Sequence, residues 1–172
     1  MGLRERFPRR PRLDPGTAES LGVAGERLLA VAELDDGGTA VATAERLVVG
    51  DKDARRLSAL WHEIDTATWD PEAGAVDVHL VEGGYVRLGL SGDTRTLLPE
   101  TLRERVQASV VLARRVPVRG RRGVRVAVRR TPDGFVSQVV PDAGVSLEDP
   151  VVRRAVEEAR REVEAAAGLV PG

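Results

Sequence analysis

The chain has 172 residues, 42% of them hydrophobic, with a net charge of −1 and no cysteine. This length allows one packed domain with an appendage, and the lack of cysteine excludes a disulfide framework, a thiolate nucleophile and a cysteine zinc site. No apolar run approaches the ~18 residues that cross a membrane, so we expect no transmembrane segment. A cytoplasmic location is expected, because it suits a chain without cysteine.

The first 25 residues are rich in arginine and proline and show no sustained hydrophobic period. A segment of this composition buries little apolar surface and does not offset the entropy of ordering its backbone. The pattern therefore predicts a disordered basic arm over residues 1–25.

Short strands are predicted from residue 26 onward. The first three are apolar, and the turn sequence Asp35-Asp36-Gly37-Gly38 lies between the first and the second. A meander of further strands is predicted over residues 57–90, where Val76 and Val78 alternate with Asp77 and His79. Its turns are the sequences DPEAG and EGG. The first three strands are predicted at residues 27–34, 39–43 and 46–49.

A helix is predicted over residues 98–116, where Pro99 suits the first turn and Pro117 stops the helix. A second strand pair follows at residues 124–140, because valine alternates with arginine or alanine before the turn sequence TPDG. Asp149-Pro150 then opens a last helix. The apolar stripes of the two helices are Leu102, Val106, Val110 and Ala113, and Val152, Val156, Ala159 and Val163.

The predicted order of elements, about six short strands followed by an amphipathic helix, resembles that of a pleckstrin-homology-like (PH-like) domain. The segments ERLLAVAELDDGGTAVATAERLVVG at 26–50 and LWHEIDTATWDPEAG at 60–74 are similar to actinobacterial proteins of unknown function that carry the bacterial form of this fold. A seventh strand is present if residues 56–60 and 62–69 form two strands joined by a bend.

The resemblance implies a PH-like antiparallel barrel with its capping helix over residues 26–116. The β-hairpin and C-terminal helix over 117–172 are not part of a standard PH-like domain, and we expect them to pack on the barrel because a lone hairpin is marginally stable in water. The arm over residues 1–25 precedes both. The predicted protein is therefore α+β and has three parts. PH-like barrels present strand edges and loop surfaces to proteins or to anionic head groups, so the resemblance also implies binding rather than catalysis.

Trp61 and Trp69 are eight residues apart and share one face if the strand is unbroken. An exposed pair of this kind would form a contact patch for a partner. The favoured alternative is that a bulge turns at least one of them into the core, because the chain has few aromatic side chains.

Eight arginines and no acidic residue lie between residues 114 and 130. One interpretation is a basic patch whose ligand is either a phosphate group or an acidic surface. The other is a solvated strand face whose arginines pair with acids of the last helix, such as Glu157, Glu158 and Glu162. Gly120-Arg121-Arg122-Gly123 also has the GxxG pattern that KH domains use to clamp a nucleic-acid backbone. The candidate binding arginines are Arg114, Arg115, Arg119, Arg121, Arg122 and Arg125.

His62, Glu63, Asp65, Asp70 and His79 are the densest group of ligands for a metal or for acid–base chemistry. No HExxH-type spacing accompanies them, and the favoured interpretation is a cross-strand pair of Asp65 with His79. We therefore expect no enzyme activity and no cofactor.

The expected function is a non-catalytic binding or adaptor module for a protein partner. The alternative is a binder of phosphate-rich ligands, either a nucleic-acid backbone or anionic lipid head groups, through the arginine-rich segment 114–130.

Overall fold

The structure is a computed structural model that describes residues 11–92 and 96–169. The protein is α+β, with three antiparallel sheets and three α-helices in this part of the chain. The helices are α1 (Pro15–Leu21), α2 (Leu98–Ser109) and α3 (Pro150–Ala166). The strands are β1 (Leu28–Glu33), β2 (Thr39–Thr43), β3 (Arg46–Gly50), β4 (Arg55–Leu60), β5 (Ile64–Asp70), β6 (Ala75–Leu80), β7 (Tyr85–Gly89), β8 (Val110–Arg119), β9 (Arg122–Thr131) and β10 (Gly134–Pro141).

The chain divides into two compact units. The first contains the described residues up to 59, together with 68–77 and 87–102. The second contains residues 60–67 and 78–86 and the described residues from 103 onward.

The first unit contains the four-stranded sheet, in the order β1-β2-β3-β4. Its core is aliphatic: Val41 and Val48 from the sheet pack with Leu21 and Val23 from the end of α1 and the turn after it. Each fully buried side chain of this size contributes about 1.5 to 3 kcal/mol. The α1 helix therefore covers part of this sheet.

The prediction of a disordered arm over residues 1–25 needs correction at Pro15–Leu21, which form α1. Asp14 caps this helix by accepting a hydrogen bond from the Thr17 amide at 3.1 Å, and Gly22 ends it with a positive φ of 69°. Burial of Leu21 and Val23 then holds it on the sheet. The first ten residues of the predicted arm lie outside the described part of the chain.

Seven strands precede α2, because a 3₁₀ turn at Trp61–Glu63 separates β4 from β5. Strands β5, β6 and β7 form a three-stranded sheet. No pairing closes a barrel among the residues that the structure describes. One isolated antiparallel bridge joins Leu34 to Leu90.

The second unit contains the sheet β10-β9-β8, with α3 packed on one face. The predicted valine alternation is confirmed, since Val124, Val126 and Val128 are all buried. They face the predicted stripe of α3, and all four of its members are buried. Asp149 caps α3 by accepting from the Val151 amide at 2.8 Å.

The prediction of one helix over residues 98–116 is wrong after Ser109, where the chain passes without a loop into β8. Val110 and Val111 are β-branched and favour a strand, and pairing with β9 decides the conformation. The predicted domain boundary at residue 116 consequently falls inside β8.

Candidate functional site

The two tryptophans have different environments. Trp61 lies in the 3₁₀ turn and is only 6% exposed, whereas Trp69 in β5 is 43% exposed. The 3₁₀ turn breaks the strand register that would have placed both on one face. The interpretation that at least one tryptophan turns into the core is therefore confirmed, and a shared exposed patch is excluded.

Trp69 borders a mostly apolar surface groove of about 500 Å³ in the first unit. Leu97, just before α2, also lines it and is 52% exposed. Among the described residues of the groove wall, Glu100 is the only one with a charged side chain. The wall is completed by Gly74, Leu90, Ser91, Gly92, Thr96 and Pro99.

Hydrogen bonds fix two sides of this groove. The Thr96 hydroxyl donates to the Val31 carbonyl of β1 at 3.0 Å and accepts from the Leu98 amide at 3.1 Å, which anchors the start of α2. The Leu90 amide donates to the Gly74 carbonyl at 2.9 Å and so holds the turn that follows β5. These hydrogen bonds hold parts of the groove wall in place, and the apolar surface of the groove can accept an apolar side chain.

Three of the predicted binding arginines are neutralised inside the second unit. Arg114 forms an ion pair with Glu162 of α3, and Arg125 forms one with Asp65. Arg115 pairs with Asp142 and also donates to the Arg121 carbonyl at 2.9 Å. The expectation of pairing with the last helix is confirmed for Arg114 through Glu162; the acids for the other two arginines come from elsewhere.

Asp142 links the two ends of the β8–β9 hairpin turn. Its carboxylate accepts from the Gly123 amide at 2.8 Å and binds Arg115. These two donors, the amide first, lower the pKa of Asp142 because they stabilise its ionised form.

Arg129 is the residue that the sequence analysis missed. Its side chain is 3% exposed, and it donates to the Ile64 carbonyl at 2.8 Å and to the Ser109 hydroxyl at 3.0 Å. The Asp65 carboxylate lies 3.7 Å away, and burial lowers the pKa of the guanidinium against the attraction of that carboxylate. The alternation of β9 places Arg129 on the sheet face opposite the valines. The sequence around Arg129 contains no signal that residues 64 and 65 cover this face.

Arg119, Arg121 and Arg122 form the remaining group, which we call the tip arginines, at the turn between β8 and β9. All three are exposed, and none forms an ion pair within the described part of the chain. Gly120 provides the positive φ of 58° that this tight turn requires. Because the turn joins two strands, the GxxG pattern here is not the helix-to-helix loop of a KH domain.

The histidine and carboxylate cluster does not assemble. Asp65 pairs with Arg125 and Arg129 rather than with His79, whose ring lies 5.0 Å from that of Tyr85. In residues 11–92 and 96–169, no group of three or more histidine, cysteine, aspartate or glutamate side chains could hold a metal ion.

The helices of the described chain are too short or too polar to cross a bilayer. Comparison with protein-family models found no match, and comparisons with curated proteins and with solved structures found no similar protein.

Proposed function

We propose that this protein is a non-catalytic, cytoplasmic binding module whose partner is another protein. The observation that carries the proposal is the exposure of Trp69 and Leu97 together in an apolar groove of about 500 Å³. Exposed tryptophan beside an apolar recess is typical of the anchor positions that dominate protein interfaces.

The order of the elements supports the same proposal. Seven strands, in sheets of four and three, precede one helix, and this is the order expected of a PH-like domain. We propose that residues 26–109 are such a domain and that the resemblance to actinobacterial proteins reflects it. The step from this fold to partner binding is an analogy, so the groove carries the functional argument.

The groove favours a partner segment with one apolar anchor side chain beside a basic residue. Trp69, Leu97 and Pro99 offer apolar surface to the anchor, and the Glu100 carboxylate offers a counter-charge at the rim. Apolar burial supplies affinity, and the charge orients the segment.

A pull-down from lysate at low and at high salt tests this function. The wild type and a double variant, Trp69→Ala with Leu97→Ser, are compared with a matched exposed position, Val151→Ser on α3. We expect the wild type and Val151→Ser to retain one protein at both salt concentrations, because apolar contacts resist salt. If the double variant retains this protein as well as the wild type does, the proposal is refuted.

A second candidate function is the binding of phosphate-rich ligands by the tip arginines. Their exposure and the absence of an acidic partner among the described residues favour it. Arg114, Arg115 and Arg125 are left out of this site because each already has a carboxylate. Binding to duplex DNA and to phosphatidylglycerol vesicles separates the two phosphate sources. Binding should fall steeply with salt and disappear when all three tip arginines are changed to alanine.

A further inference from the structure

Strand β8 is an exposed edge. The sheet order β10-β9-β8 leaves one side of this ten-residue strand without a neighbouring strand in the part of the chain that the structure describes. Most of its residues are exposed, among them Val111 at 41% and Leu112 at 37%. A strand edge offers a row of backbone N–H and C=O groups that can pair with another chain.

The hydrogen bonds of Gly123 identify which groups of β8 face outward. The Gly123 amide donates to the Asp142 carboxylate at 2.8 Å, and its carbonyl accepts from the Asp142 amide at 2.9 Å. Both groups therefore point away from β8, so Gly123 and its partner Pro117 are not hydrogen-bonded to each other. Such pairs alternate along an antiparallel ladder.

The register between β8 and β9 is regular from Leu112 to Pro117. By this alternation, Ala113, Arg115 and Pro117 direct their backbone groups outward. The position of the proline is an independent check, because proline has no N–H and is tolerated in a sheet where none is needed. The outer edge thus offers the amides of Ala113 and Arg115 and the carbonyls of all three residues.

A small groove of about 200 Å³ runs between this edge and α3. Val116 and Ala159 are its buried lining residues, and Ala155 and Pro117 complete the apolar part. Its volume suits one small aliphatic side chain of a segment that pairs with the strand.

The charges beside the edge define the partner. Arg114, Arg115 and Arg119 lie on the strand, and Arg121 and Arg122 follow it. The acids near them are fewer: Glu158 and Glu162 line the groove and Asp142 binds Arg115. Arg114 and Arg115 already have carboxylate partners, so the attracting charge comes from Arg119, Arg121 and Arg122, which are exposed and form no ion pair within the described residues. A second copy of this strand would bring arginine against arginine, whereas an acidic segment would be attracted.

We propose that β8 is a docking edge for an extended acidic segment of a protein partner, which adds a fourth strand to the sheet and places a small aliphatic side chain in the groove beside α3. The proposal rests on the protein-binding function and names a second contact surface made of residues other than those around Trp69.

The test uses a fluorescent heptapeptide that alternates glutamate with valine, and a control peptide with lysine in place of glutamate. Ala113→Pro removes one outward N–H without removing a bond to β9, and the matched variant Ala113→Val keeps that N–H. In fluorescence anisotropy we expect the wild type and Ala113→Val to bind the acidic peptide within about twofold of each other. Ala113→Pro should bind at least about tenfold more weakly, which corresponds to the loss of about one hydrogen bond.

Amide hydrogen exchange supplies a second readout that does not depend on the proline variant folding. The Arg115 amide should exchange rapidly in the free protein and become protected by the acidic peptide. The Val116 amide, which faces β9, should be protected in both states.

Three results of the peptide-binding assay would overturn the proposal: no binding of the acidic peptide, equal binding of the lysine peptide, or an Ala113→Pro variant that folds and binds like the wild type. Any of these results could occur while the Trp69→Ala, Leu97→Ser variant loses the lysate partner. In that case the protein-binding function would be supported and only the docking edge would be refuted. A dimer that Ala113→Pro dissociates in analytical ultracentrifugation would replace the acidic partner with a second copy and so overturn it too.

Discussion

The base and the tip of the β8–β9 hairpin contain the same residue type in opposite environments. At the base, Arg125 and Arg129 face Asp65, and Arg129 is almost completely buried. At the tip, Arg119, Arg121 and Arg122 are exposed and have no acidic partner among the described residues. The difference teaches that the base arginines hold structure together, while the tip arginines remain available to a ligand. The following predictions test this division, from the largest expected effect to the smallest.

Arg129→Met should destabilise the protein by about 3 kcal/mol, because it leaves the Ile64 carbonyl and the Ser109 hydroxyl without their buried donor. Urea unfolding measures the loss. The matched control is Arg130→Met, since Arg130 is exposed and its guanidinium only lies 5.7 Å above the Phe135 ring. The control should lose less than about 1 kcal/mol. Equal losses would contradict the division.

Gly123→Ala should weaken the junction between base and tip by about 1 to 3 kcal/mol. A Cβ atom at this position would lie 2.4 Å from the Val116 carbonyl oxygen, so the two strands would have to separate. At Gly92 an added Cβ meets none of the described residues within 4 Å, and Gly92→Ala should change stability by less than about 0.5 kcal/mol. The free energies of unfolding of both variants are compared with that of the wild type, and similar values for the two would refute the crowding argument.

Asp142→Asn should flatten the loss of stability in acid. Hydrogen bonds from Gly123 and Arg115 lower the pKa of Asp142 in the folded state. Ionised Asp142 therefore stabilises the folded protein fully at pH values above the carboxyl's pKa in the unfolded chain, about 3.9. This stabilisation is lost as the pH falls through the lower pKa that Asp142 has in the folded protein. Urea unfolding between about pH 2 and pH 7 should show a smaller difference between variant and wild type at the acid end. A difference between variant and wild type that stays the same from neutral to acid pH would contradict this role of Asp142.

Changing Arg119, Arg121 and Arg122 together to alanine should alter the free energy of unfolding by less than about 0.5 kcal/mol. The physical reason is that these side chains are exposed and form no ion pair with a carboxylate of the described residues. Urea unfolding measures it. A loss as large as that of Arg129→Met would show that the tip is structural after all.

The hairpin of β9 and β10 and the helix α3 could be predicted because local signals and tertiary packing agree there. The alternating valines, the TPDG turn and the Asp149-Pro150 cap each point to the observed element. The helix α1 has the same kind of cap at Asp14-Pro15, but a segment so rich in arginine and proline obscured it. Its stability comes from Leu21 and Val23 against a distant sheet.

The end of α2 could not be predicted from spacing. Val110 and Ala113 continue the apolar stripe, yet Ala113 pairs with Ala127 of β9, and this long-range pairing overrides the local period. The site shows the same limit. Trp69 and the tip arginines were found as candidates from residue type, whereas the burial of Arg129 depends on Ile64 and Asp65, about 65 positions earlier in the chain.

The direct passage from α2 into β8 has a consequence for how this sequence can vary in length. A loop absorbs an extra residue, but between Ser109 and Val110 there is no loop. One residue gained or lost inside β8 would turn every later side chain of the strand to the opposite face until a bulge restored the register. Val116 would then leave the α3 core and Arg115 would enter it. We therefore expect length changes in natural variants to be excluded from residues 112–117, where the register with β9 is regular, and to collect in the turns and at the irregular ends of β8.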